Sequence, residues 1–194
     1  MARPKSFDPD TVLDAAVRTF WTHGYAGTTP QRLVDELGIG RGSLYDTFGG
    51  KHEIFLAALD RYRSSTSAAV TAALREEGRG FDRLRRALEL VAVAVAGRPD
   101  GCLLTTSAVE LGPHDAAVAA AVRATLDDQR EGFEAAVRAG ARDGSLRDDL
   151  DPSAVATWLL ATTNGLQALA RTGVDRAVLS PVLDTTLTAL LPRA

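Results

Sequence analysis

Four times in this chain a helix-capping side chain is followed at once by proline: Asp8-Pro9, Thr29-Pro30, Asp151-Pro152 and Ser180-Pro181. Each pair marks a helix start. The side-chain oxygen accepts an orphan N–H of the first turn, and proline at the first helical position forgoes an N–H that would have no partner there. Apolar residues then recur at helical spacing behind every start: Val12, Ala16 and Phe20; Leu33, Val34 and Leu37; Val155, Leu159, Leu166 and Leu169; Leu183, Leu187 and Leu190. Glycine closes the early helices, at Gly24, Gly38 and the Gly49-Gly50 pair.

Between these anchors the pattern stays helical. Leu44, Tyr45 and Phe48 carry a third short helix, and from Lys51 the stripe Phe55, Ala58, Leu59 and Tyr62 predicts a long helix four reaching about Leu74. Leu84, Leu88, Val91 and Val95 predict another. The Val-Ala alternation over 91–96 also fits a strand, but alanine is the best helix former and the upstream phase runs straight through it. A loop over 97–101 precedes a shorter helix around Leu104 to Leu111 and a long one from about His114 to Arg142. The expected fold is all-α, with about nine helices and no strand pair. Both lysines, Lys5 and Lys51, fall in the first 52 residues, and the remainder uses arginine alone. That split divides the chain into an N-terminal domain, 1–52, and a larger helical domain, 53–194.

Composition narrows the class of partner. With 22 Lys+Arg against 25 Asp+Glu the formal charge is −3, so the chain is no general polycation and any surface for a polyanion must be local. At 45% hydrophobic and 24% charged it is an ordinary globular chain rather than a disordered one. Its single cysteine excludes an internal disulfide and a CxxC metal site. His23, His52 and His114 are too scattered to ligate a metal, and no metal or other cofactor is expected. The first residues lack the apolar stretch of a secretory signal, and no apolar run approaches the ~20 residues of a membrane span. A soluble, cytoplasmic protein is expected.

Two short helices joined by a tight glycine turn, with a third helix before them, describe a helix-turn-helix, whose second helix fits a major groove ~12 Å wide. Periodicity alone makes this a weak signal; the residues strengthen it. The stretch Gly24-Tyr25-Ala26-Gly27-Thr28-Thr29-Pro30 through Leu37-Gly38-Ile39-Gly40-Arg41-Gly42-Ser43-Leu44-Tyr45-Asp46-Thr47-Phe48-Gly49-Gly50-Lys51 resembles the DNA-binding signature of the tetracycline-repressor (TetR) family of bacterial regulators. The likeness spans roughly Asp8 to Phe55. It implies a non-enzymatic, homodimeric regulator, most often a repressor, that leaves a palindromic double-stranded DNA operator when a small-molecule effector binds. An activator is possible on the same fold.

Specific residues carry specific roles in this reading. Thr29 caps the second helix and leaves amides of its first turn facing outward, a terminus that attracts phosphate. Tyr45 and Lys51 resemble the family's phosphate-contacting tyrosine and lysine. Gln31 is suited to adenine and Arg41 to guanine or to phosphate. Gly42 lets the backbone approach the groove, and Ser43 and Thr47 are small contacts. Gly40 and Thr47 depart from the family's frequent Ser and His, which bears on the base contacts. Arg3 and Lys5 form a possible minor-groove arm. Residues 1–52 hold six basic and six acidic side chains, a neutral balance tolerable only if the acids turn away from DNA.

The larger domain is expected to hold the effector in a mainly apolar cavity. Candidate lining residues are Cys102, Leu103, Leu104, Phe133, Trp158, Thr162, Asn164 and Leu166. Asn164 is the odd one, an amide within an apolar helix that must find a partner. Small residues in the last two helices, Ala156, Ala161, Gly165, Ala168, Thr186 and Ala189, permit close helix approach and suit a symmetric four-helix dimer interface. Two rival readings are a helical binding module that does not touch DNA and a helical enzyme using Cys102 with His114 or Glu110.

Overall fold

A computed structural model describes residues 7–97 and 101–193. The arm with Arg3 and Lys5 lies outside the described residues, as does most of the loop expected over 97–101. Described residues are helical or in turns, without strand: α1 (Pro9–His23), α2 (Pro30–Leu37), α3 (Arg41–Phe48), α4 (Lys51–Tyr62), α5 (Ala68–Arg75), α6 (Gly80–Gly97), α7 (Leu103–Glu110), α8 (Ala116–Asp143), α9 (Pro152–Arg171) and α10 (Arg176–Thr188). The all-α expectation holds. Asp8, Thr29 and Asp151 cap their helices with side-chain oxygens, as their sequence contexts predict. The 91–96 stretch is helical.

Two expectations need correction. Helix four does not continue unbroken to Leu74: a π-helical turn, Arg63–Ser67, separates α4 from α5. The sequence there is Arg-Ser-Ser-Thr-Ser, and Ser64 and Ser65 both donate their hydroxyls to Arg61 O, at 3.0 and 2.8 Å. Such local side-chain bonds compete with the regular ladder. The last helix starts before Ser180-Pro181, because Asp175 caps it by accepting Ala177 N–H at 2.9 Å. Pro181 sits inside the helix near its start, where the missing N–H deprives a single early carbonyl.

The chain divides into two compact units, Met1–Ser65 with Leu103–Val122, and Thr66–Cys102 with Arg123–Ala194. In the first, α1 packs along α4 and α2, and α7 packs on α4. Its core is aromatic: Phe20 meets Phe55 edge-on at 5.0 Å between centroids, and Trp21 meets Tyr62 at 4.9 Å. In the second, α6 packs on α5, α9 and α10 around Leu84, Leu88, Phe133, Val137, Leu159 and Leu166. Gly80, at the start of α6, approaches α8 so closely that a side chain would overlap Gly140 N and Ala136 O.

Candidate nucleic-acid interface

The turn between α2 and α3 is built by three residues. Gly38 takes the left-handed conformation (φ 65°) and donates to Val34 O at 3.1 Å, ending α2. Ile39 is buried and anchors the turn. Gly40 starts α3 with no side-chain cap. Within α3, Leu44 is fully buried while its neighbour Tyr45 is 40% exposed. Arg41 and Gly42 are exposed as well, and Ser43 and Thr47 are half-buried. Helix α3 thus hangs by Leu44 and turns a polar face outward.

Neighbouring groups set the geometry of that face. The Arg41 guanidinium lies 5.9 Å from the centroid of the Tyr45 ring. Nothing lies within 4 Å of where a Cβ on Gly42 would be, so the backbone there is open to a close approach. Thr29 Oγ1 accepts Arg32 N–H at 3.1 Å. Gln31 Nε2 donates to Asp35 Oδ1 at 2.8 Å, which leaves its second N–H and its amide oxygen for other partners. Lys51, the first residue of α4, holds its ammonium 4.0 Å from the centroid of the Tyr25 ring. Burial lowers the proton affinity of that ammonium, and the charge of Glu110 opposes the shift.

The acidic residues that made residues 1–52 neutral are largely engaged elsewhere. Asp8 caps α1, and Asp10 and Asp14 both lie near the Arg61 guanidinium. Glu36 fastens α2 to α1: it accepts Thr19 Oγ1 at 2.9 Å and lies 3.1 Å from His23 Nε2. Asp35 and Asp46 remain exposed on α2 and α3. Sequence reasoning missed Glu36 and Glu110 as organisers. The i,i+4 spacing of Arg32 and Glu36 was a local clue to the first; Glu110, 84 residues beyond Ala26, had none.

The eight residues expected around an effector are distributed between the units. Leu103 and Leu104 are buried in the first; Cys102, Phe133 and Leu166 are buried in the second. Thr162 and Asn164 are half-buried on α9, where the Asn164 amide donates to Leu160 O of its own helix at 2.8 Å. Trp158 is 41% exposed, on the side of α9 away from Leu159 and Leu166. An open cleft of about 530 Å³ in the second unit, lined by Leu146, Arg147, Asp149 and Pro192 among others, includes none of the eight. Glu110, weighed as a base for Cys102, commits both carboxylate oxygens to backbone N–H groups. Among the described residues no group of three His, Cys, Asp or Glu side chains could hold a metal ion. No described helix is long and apolar enough to cross a membrane.

Comparison with known proteins decides what such a display belongs to. Residues 12–58 match the family described as "Bacterial regulatory proteins, tetR family", and residues 80–185 match "Tetracyclin repressor-like, C-terminal domain". The chain belongs to the TetR family. It is 32% identical to the transcriptional regulator YezE of Bacillus subtilis, over 98% of this chain and all of that protein. It is 29% identical to the transcriptional repressor ComR of Escherichia coli, over 95% of this chain and 90% of that one. Among solved structures it is similar to a cysteine mutant of the TetR family regulator CifR complexed with 26bp double-strand operator DNA, with a TM-score of 0.86 and 29% identity over 97% of this chain and all of that one. The protein is therefore a DNA-binding transcriptional regulator of the TetR family and not an enzyme.

Proposed function

We propose that the protein is a homodimeric repressor that occupies a palindromic operator in the cytoplasm and leaves it when a small-molecule effector binds. The observation that carries the DNA half of this reading is the division of α3 between a fully buried Leu44 and an outward Tyr45. Around that face the roles fall to separate groups. Thr29, Tyr45 and Lys51 bind backbone phosphate; Gln31 and Arg41 read base edges; Gly42, Ser43 and Thr47 allow and adjust the close approach. Repression is favoured by the relative ComR, a transcriptional repressor, and binding to an operator duplex by the complex of CifR.

Dimerisation is supported by the outer faces of α9 and α10. Ala161, Gly165 and Ala168 are exposed beside Trp158 and Leu169, α10 adds Val178 and Val182, and Ala189 follows at its C-terminal cap. Ala156 and Thr186, from the same small-residue stripes, are buried inside the second unit instead. A two-fold dimer presents two α3 helices to half-sites about 34–36 Å apart, and hence requires a palindrome. Effector binding among the core helices shifts α4, alters that separation and releases DNA, with a coupling of about 1–3 kcal/mol.

The test is a fluorescence anisotropy titration of the purified protein against DNA from the intergenic region beside its own gene, across a salt series. Saturable, salt-dependent binding that Tyr45→Ala abolishes is expected. Binding no tighter than to random DNA at low salt, for that region and for a genomic fragment library, would favour a helical module without DNA contact.

A further inference from the structure

A carboxylate from outside the helix-turn-helix closes on its first turn. Glu110, the last residue of α7, accepts Tyr25 N–H on Oε2 at 2.9 Å and Ala26 N–H on Oε1 at 2.6 Å. Hydrogen bonds to an ionised acceptor are the strong ones, and two from one carboxylate fix an orientation as well as a distance. The turn so gripped joins α1 to the Thr29-capped start of α2. Within it Thr28 Oγ1 donates to Gly24 O at 2.6 Å, and the Arg32 guanidinium donates to Gly27 O at 2.8 Å. The Tyr25 ring meets Phe55 edge-on at 4.9 Å, and on that ring rests the Lys51 ammonium. Beside Lys51, His52 Nε2 lies 3.4 Å from Asp115 Oδ2, so a second carboxylate near the end of α7 reaches the same place.

We propose that Glu110 is a positioning residue for operator binding: it fixes the α1–α2 turn and, through the Tyr25 ring, sets the Lys51 ammonium where a backbone phosphate meets it. The inference rests on the reading of Lys51 as a phosphate contact. Lysine is a point charge on a flexible four-carbon stem, so its contact with phosphate gains from any seat that removes its freedom beforehand. A ring held by its own backbone N–H supplies that seat. The charge of Glu110 also acts on Lys51 directly, opposing the effect of burial. Plain electrostatics makes the opposite forecast: deleting a negative charge near the DNA surface strengthens binding to a polyanion. The sign of the effect separates the two.

The experiment compares the full-length wild type with Glu110→Gln, Lys51→Ala and the double variant, by anisotropy against the operator duplex over a salt series. Glutamine keeps the size of the side chain but turns an amide N–H toward one of the two backbone donors. Expected are an affinity loss of about tenfold for Glu110→Gln, the equivalent of one charge-assisted hydrogen bond, and a fall of about 1 in the slope of log affinity on log salt. Lys51→Ala should lose the same slope, and the double variant no more than either single. Equal or tighter binding by Glu110→Gln, or additive slope losses, overturns the proposal while leaving Lys51 as a phosphate contact. An unchanged slope in Lys51→Ala removes that underlying reading, and the proposal with it. Tyr25→Leu keeps the backbone clamp and removes the ring, so it gives an independent measure should Glu110→Gln fold poorly: the same slope loss is expected, and an unchanged slope overturns the proposal.

Discussion

Arg61 of α4 closes on Asp14 of α1 through a pair of hydrogen bonds, Nε to Oδ1 at 2.9 Å and Nη2 to Oδ2 at 3.2 Å. The hydrogen bond and charge of Asp14 raise the proton affinity of the guanidinium above its already high ordinary value. Both side chains are partly exposed, and water screens the pair. A double-mutant cycle with Asp14→Ala and Arg61→Ala, read by urea unfolding, is expected to give a small favourable coupling, as exposed ion pairs do. The coupling should shrink as salt is raised; zero coupling at low salt would mean that the fork does not hold α1 to α4 in solution.

The contact of Gly80 with α8 makes a sharper forecast. A methyl group there meets backbone atoms, Gly140 N and Ala136 O, which cannot rotate aside as a flexible side chain can. The same N–H of Gly80 donates to Asp143 Oδ2 at 2.8 Å, so moving α6 away also lengthens a hydrogen bond. Gly80→Ala should destabilise the second unit by about 2–3 kcal/mol, in the range of core overpacking, although alanine is the better helix former. Chemical denaturation measures this, and a neutral outcome would show that α6 does not approach α8 so closely.

What was legible in the sequence follows from how local each cause is. Asp8, Thr29 and Asp151 act on N–H groups two or three residues away, and their caps stand where the text of the chain places them. Gly38 and Leu44 likewise mark the turn and the buried side of α3 from local pattern alone. Ser180-Pro181 misled for the same reason: the pair has the local form of a start, but Asp175 captures the amide first. The π-helical turn was hidden because Arg63–Ser67 holds no apolar residue to register a change of period, and the competing serine hydroxyls leave no mark on periodicity. Glu110 and Arg61 bind partners 84 and 47 residues away, and no spacing rule reaches that far. Trp158 shows the remaining limit. Hydrophobicity places it with the core, yet only the packed fold tells that its side of α9 faces outward.

Asp143 gives a pH dependence with a definite sign. The Ser145 hydroxyl foremost, and the N–H groups of Gly80 and Ser145, hold its carboxyl below the ordinary range. The unfolded chain therefore binds the proton more readily than the folded one, and this contribution to stability is complete above the ordinary carboxylate value of about 4. It is lost as pH falls through the lower folded value. Asp143→Asn should be less stable than the wild type near neutrality, and the gap between them should narrow in urea titrations stepped downward from pH 5. A gap that stays constant into acid would show that the ionised carboxylate is not what matters.

Gly165 isolates association from folding. It is exposed on α9, and nothing lies within 4 Å of where its Cβ would be. Arginine there fits the single chain and is the better helix former, so thermal stability of the second unit itself should not suffer. Against a partner packed on this small-residue face, however, it sets a bulky charge where close helix approach needs none. Sedimentation is expected to show a dimer for the wild type and a monomer for Gly165→Arg, with operator affinity lost in parallel. A dimer that survives the substitution would move the interface off this face.

Tyr45 and Arg41 stack within 5.9 Å of each other, but their work on DNA should separate cleanly. Tyr45→Phe keeps the ring on which the guanidinium rests and removes the phenolic hydroxyl alone. Loss of one phosphate hydrogen bond weakens every sequence alike, by about 1 kcal/mol, and leaves the preference among operator variants unchanged. Arg41→Ala removes a group able to bond a guanine edge bidentately, for which about 1–3 kcal/mol of discrimination at one base pair is expected. Competition binding with a library of single-base operator variants distinguishes the outcomes. A flat loss across the library for Arg41→Ala would make Arg41 a second phosphate ligand, and base reading would then fall to Gln31, whose free amide oxygen accepts from adenine N6 or cytosine N4.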